Sequence, residues 1–174
     1  MNATLAPFMR KVALPVNVPG QLWLGPMPGR LRPLEQDMAF LTERGVEQII
    51  CLAPQGELEQ KSPAYAEGKA PIATVQFPID DFGVPADEDG LGQLALRAAT
   101  QLNEGRVLFV HCAAGIGRTG TFASLILIGL GFAEEQATAL VSAAGSGPET
   151  AEQRHLVSRL VPRLHPLASR IGAQ

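Results

Sequence analysis

The sequence predicts one α/β domain, a central and mostly parallel sheet flanked by helices, and three observations predict it. Short β-branched, apolar runs alternate along the chain with segments of helical spacing. Glycines and prolines stand between these segments as turn signals. At 174 residues, with 46% hydrophobic and 18% charged side chains, the chain fits a single core, so residues 1–174 are read as one domain.

The elements follow in order. WLGPMPGR reads as a short strand running into turns, because Pro26, Pro28 and Gly29 interrupt any period. Leu34 to Gly45 is helical, with apolar residues at 34, 38 and 41 and Gly45 as its stop. Val46 to Leu52 is a buried strand by its β-branched, apolar run. GELEQKSPAYAEGKAP has room for a short helix interrupted at Pro63. Ile72 to Ile79 is a second strand, followed by the acidic loop DDFGVPADEDG, where Asp87 or Asp89 is placed to cap the next helix. That helix, LGQLALRAATQLNEG, ends at Gly105, and Arg106 to Cys112 is a third buried strand. The remainder is helical: Gly117 to Leu130, then FAEEQATALVSAA, then a last helix beginning near Pro148. In sheets of this kind, sites sit at the carboxyl ends of strands, and Cys112 falls at one.

Composition narrows the function. A net charge of −3 without a block of Lys or Arg offers no footprint for nucleic acid or anionic lipid. FASLILIGLGFA is too short to span a bilayer and reads as a buried helix. The opening MNATLAPFMRKVALPV lacks the charge and cleavage pattern of a signal peptide. Two cysteines make no disulfide framework, and no Cys/His cluster has zinc spacing. A soluble, cytoplasmic monomer without metal or cofactor is the expectation.

One stretch carries chemistry. VHCAAGIGRTG contains, from Gly115 to Gly120, a match to the G-x-G-x-x-G dinucleotide fingerprint. That fingerprint needs a second strand bearing an acidic residue about 20 residues on. The residues after Gly131 are helical instead, so the context fails. The alternative uses every unusual residue. A buried strand delivers the thiol of Cys112, and Ala113, Ala114, Gly115, Ile116 and Gly117 turn into a helix whose first amides form an anion nest. Arg118 adds a planar fork for two phosphate oxygens. The same positive surroundings favour a thiolate nucleophile at Cys112. Thr119 is placed to donate to the sulfur, and His111 to fix the loop through backbone carbonyls. Singly, a strand-end cysteine is a small buried hydrophobe and a lone histidine a packed core residue; the joint pattern raises the functional reading.

HCAAGIGRT resembles the HCx5R[ST] signature of cysteine-based protein tyrosine and dual-specificity phosphatases. ERGVEQIICLAPQGELEQ and FPIDDFGVP are similar to regions of the kinase-associated phosphatase (cyclin-dependent kinase inhibitor 3) group and the compact atypical dual-specificity phosphatases. GSGPETAEQ resembles the loop that positions water in compact phosphatases. The likeness covers roughly residues 20 to 160, implying a catalytic core over about 20–165. It implies a dual-specificity-phosphatase-like fold and a metal-independent hydrolase working through a phosphocysteine on Cys112. The leaving oxygen then needs a proton from a carboxylic acid. Asp81 in DDFGVP matches the family's acid, with Asp80 as runner-up. Gln153 would orient water in the second step; otherwise it is an exposed residue of the last helix. Cys51 is either a packed thiol or, as in several relatives, the redox partner of Cys112.

The loop carries no lysine at Ala113, Ala114 or Ile116, unlike lipid-phosphatase relatives, which argues against a phosphoinositide. A phosphorylated protein or peptide, with phosphotyrosine favoured over phosphoserine and phosphothreonine, is the expected substrate. Small phosphorylated metabolites such as inositol phosphates are the second reading, and a non-catalytic phospho-binding module is the third. A sulfurtransferase also uses a cysteine loop but would not require the upstream aspartate.

Overall fold

The computed structural model describes residues 8–171, with side chains through Leu164. Residues 1–7 and 172–174, part of the predicted domain and of the opening read as lacking a signal peptide, lie outside the described residues. The elements run β1 (Arg10–Lys11), β2 (Gln21–Gly25), α1 (Leu34–Glu43), β3 (Gln48–Cys51), α2 (Gln55–Lys61), α3 (Pro63–Ala66), β4 (Ala73–Gln76), α4 (Glu88–Asn103), β5 (Val107–His111), α5 (Gly117–Gly129), α6 (Glu134–Ala143) and α7 (Ala151–Ile171).

The strands form one sheet in the order β1-β2-β5-β3-β4. β1 pairs antiparallel with β2, and every other pair is parallel. This is the predicted mostly parallel sheet. β5 lies at its centre, with Val110 opposite both Leu24 and Ile50 and His111 opposite both Gly25 and Cys51. The carboxyl ends of three strands therefore meet where Cys112 begins.

Strand alternation divides the core in two. Leu108, Val110 and Cys112 of the central strand pack with Ile50, Leu52, α4, α5 and α7 on one face. Phe109 and Ala113 pack with Ile49, Cys51, Tyr65, Met38 and Leu41 on the other. α5 is buried along its whole length, Gly117 to Gly129, because helices and sheet surround it. That accounts for FASLILIG being apolar all round rather than on one stripe.

Local chemistry explains where boundaries moved. The strand predicted over Ile72 to Ile79 pairs regularly only through Gln76. Phe77 and Ile79 still donate singly to Cys51 and Leu52, but Pro78 between them has no N–H to give. Pro63 opens α3 at its first turn, splitting the predicted short helix into two. α4 starts earlier than its apolar pattern because Asp87 caps it, accepting from the Gly90 N–H at 2.8 Å. The last helix begins at Ala151, three residues beyond Pro148. β1 was not predicted; a polar two-residue Arg-Lys strand carries no alternation to read.

Candidate active site

The loop after β5 is shaped from its carbonyl side. Ala113 O accepts from Met27 N at 3.0 Å and from Arg30 Nη1 at 3.1 Å. Gly115 O accepts from Arg10 Nη2 and Ser146 Oγ, both at 2.7 Å. Ile116 O accepts from Gly147 N at 3.1 Å. With carbonyls held outward, the amide N–H groups turn to the inner side, beside the N-terminus of α5, and an oxyanion is the ligand such a surface fits. Gly115 has φ of 76°, and a Cβ there would collide with the backbone of Gly25. Only glycine meets both demands.

Arg118 is 2% exposed. Its guanidinium is clamped by both carboxylate oxygens of Glu57, at 2.9 and 3.0 Å. It also donates to Ile79 O at 2.8 Å and to Asp81 Oδ1 at 3.0 Å. Burial is the largest single influence and opposes its charge, but the hydrogen bonds to Glu57 together with the nearby charges of Cys112, Glu57 and Asp81 outweigh it and leave its pKa raised. The bond from Arg118 in turn holds the Glu57 carboxyl below the usual range. Arg118 Nε is buried without an acceptor among the described residues, the one N–H of its guanidinium left free to donate. Thr119 Oγ1 stands 3.1 Å from Cys112 Sγ, both side chains buried.

Glu57 is the site residue that sequence reasoning missed. It sits in GELEQ, a polar stretch that reads as a solvated helix; only the fold brings α2 against the start of α5. Asp81 lies with its carboxylate half-exposed on the loop after β4. Asp80, the runner-up, is exposed and contributes its carbonyl to the turn, accepting from Gly83 N at 2.9 Å. Of the other acids in the loop, Asp87 is the helix cap and Asp89 pairs with Arg163.

His111 is fully buried, and burial pushes its pKa down to about 4. Its Nδ1 lies 2.9 Å from Cys112 O and its Nε2 2.8 Å from the Tyr65 hydroxyl. A neutral ring satisfies both partners when Nδ1–H donates to the carbonyl and Nε2 accepts from tyrosine. Cys51 is buried on the opposite face of the sheet from Cys112, its pKa pushed up to about 11 by burial. Both thiols are free. Gln153 is not exposed: it is 1% accessible, with hydrogen bonds to Glu149 and Gly83.

A parallel sheet that delivers a buried thiol into an anion-shaped loop, with arginine at the start of the following helix, defines the class of cysteine-based phosphatases. A family model described as Swiss Army Knife protein, DSP-PTPase phosphatase domain, matches residues 18–163, and the chain belongs to that family. It is a hydrolase of the cysteine-based dual-specificity type. Its fold is similar to that of Tk-PTP in the active form, at 21% identity and TM-score 0.70, over 91% of this chain and 99% of that one. It is also similar to kinase-associated phosphatase carrying serine for its catalytic cysteine, at 22% and 0.71, over 98% and 99%. PTPMT1 in complex with PI(5)P matches at 18% and 0.69, over 93% and 99%. No described helix is long and apolar enough to cross a membrane.

Proposed function

We propose that the chain hydrolyses phosphomonoesters through a phosphocysteine on Cys112. The thiolate bonds to phosphorus as the bond from phosphorus to the leaving oxygen breaks, and Asp81 gives that oxygen its proton. Loop amides from Ala113 to Arg118 and the Arg118 Nε–H hold the non-bridging oxygens; the two-oxygen fork expected of Arg118 is not free here, because its Nη groups already donate to Glu57, Ile79 O and Asp81. Water then bonds to phosphorus, the S–P bond breaks with Thr119 donating to the departing sulfur, and the water proton passes to the Asp81 carboxylate. The observation that carries this reading is the Arg118–Asp81 contact at 3.0 Å, which joins the acid of one loop to the anion-binding group of the other.

Phosphotyrosine in a protein or peptide is the favoured substrate, with phosphoserine and phosphothreonine next, and the chain works as a cytoplasmic monomer. An inositol phosphate is the second reading. It is supported by the fold shared with PTPMT1, whose structure holds PI(5)P. Cys51 is the proposed redox partner of Cys112.

The test is phosphate release from a phosphotyrosine peptide and from an inositol phosphate, in EDTA and reductant. Cys112→Ser is expected to abolish turnover. Asp81→Ala is expected to lower it roughly 10²- to 10⁴-fold while substrate binding persists. Turnover of the inositol phosphate alone would favour the second reading. Binding without turnover of either would leave the phospho-binding module.

A further inference from the structure

The acid and the nucleophile sit on separate loops, and one short segment touches both. Ser146 Oγ donates to Gly115 O at 2.7 Å, and Gly147 N donates to Ile116 O at 3.1 Å. The backbone of Gly147 lies so close to Gly120 that any Cβ on Gly120 would collide with it. This segment thus buttresses the phosphate loop and the first turn of α5. Four residues past Glu149, in the first turn of α7, Gln153 reaches the other way. Its Oε1 accepts from Glu149 N at 2.8 Å and its Nε2 donates to Gly83 O at 3.2 Å. Gly83 is two residues beyond Asp81.

Apart from Val84, which packs against the core, and the buried Pro85, the acid loop has few other anchors. The Gly83-to-Asp80 bond closes a turn inside the loop, and Asp81 Oδ1 also accepts from the neighbouring Phe82 N–H at 3.1 Å. Phe82 is 58% exposed at φ of 60°. Among the described residues, Arg118 and Gln153 are the two side chains from outside that hydrogen-bond residues 80–86. Arg118 must also serve the phosphate oxygens. Gln153 is buried and engaged at both ends of its amide.

We infer that Gln153 is a positioning residue for the first chemical step: it latches the Asp81 loop to the segment behind the phosphate loop, setting the acid over the leaving oxygen. This differs from the water-orienting role that the family resemblance implies, which comes into play only after the leaving group has gone. The inference rests on the phosphatase reading above.

Two variants separate the roles. Gln153→Glu keeps an acceptor for the Glu149 N–H and removes the donor to Gly83 O; Gln153→Met removes both. Each is compared with wild type on phenyl phosphate, whose leaving oxygen needs a proton, and on p-nitrophenyl phosphate, whose weakly basic oxygen leaves without one. The latch predicts that the ratio of kcat/KM for the nitrophenyl ester to that for the phenyl ester rises roughly tenfold or more in both variants. It also predicts that the basic limb of the kcat/KM profile for phenyl phosphate flattens. An unchanged ratio overturns the latch, whether activity falls equally on both esters or kcat falls with a burst of released phenol, the signature of a slowed second step. Wild-type protein that hydrolyses neither ester overturns the phosphatase reading and the latch together, and is recognised before any substitution is made.

Discussion

Arg118 shows how much of the site depends on single contacts. A guanidinium buried this deeply retains its charge because Glu57 offers two oxygens in matching geometry. Glu57→Ala leaves that charge without its main partner, so urea denaturation is expected to show a loss of about 3 kcal/mol. The loss of guanidinium alignment is expected to lower kcat/KM for a phosphotyrosine peptide roughly tenfold to a hundredfold. His111 makes a second prediction. Its folded pKa of about 4 lies below the usual value near 6.5, so between these pH values the unfolded chain binds a proton that the folded chain does not. Stability from this residue is therefore complete above pH 6.5 and is lost as pH falls toward about 4, some 3 kcal/mol in all. Urea midpoints of wild type and His111→Gln across that range check it: the wild type should lose the steeper share, and parallel profiles would contradict it.

At the scale of elements, the β5-loop-α5 unit was legible because its local chemistry is local in sequence. An apolar run, a Gly-rich turn and an apolar helix succeed one another without a gap, and the order His-Cys, five small or apolar residues, Arg-Thr fits no ordinary turn. Gly115 is the most demanding position in it. Gly115→Ala forces a Cβ at positive φ against Gly25 and cannot be absorbed without moving the loop carbonyls off Arg10 and Ser146. A fall in kcat/KM of at least about tenfold is expected, with a lowered melting temperature; activity within twofold of wild type would show that the loop tolerates the shift. α2 was not legible in the same way. Its role is to present Glu57 and Leu58 to two different neighbours, and no period in GELEQK announces which side chain faces the site.

For the whole molecule, the sheet order decides what Cys51 can do. The parallel register sets Cys51 beside His111, one residue from Cys112, yet the two thiols lie on opposite faces. Joining them needs the loop after β5 to shift, since a disulfide demands close and converging Cβ atoms. Peroxide treatment followed by peptide mapping is expected to recover a Cys51–Cys112 linked peptide. Cys112 recovered as sulfinic acid with Cys51 reduced would remove Cys51 from the redox chemistry.

Legible in the sequence alone were the α/β class, the central strand, the glycine-rich loop that follows it, and the thiol, arginine and threonine around that loop. These depend on hydrophobic period and turn chemistry within a few adjacent residues, and that information survives in one dimension. Tertiary structure alone decided that Glu57 clamps Arg118, that Tyr65 meets His111, that Arg10 and Arg30 brace the loop, and that Gln153 reaches Gly83. Each of these pairs joins residues separated by 46 to 105 positions. Such contacts exist only once the sheet order has set which strand ends meet, and a polar side chain carries no local mark of the distant partner it will find.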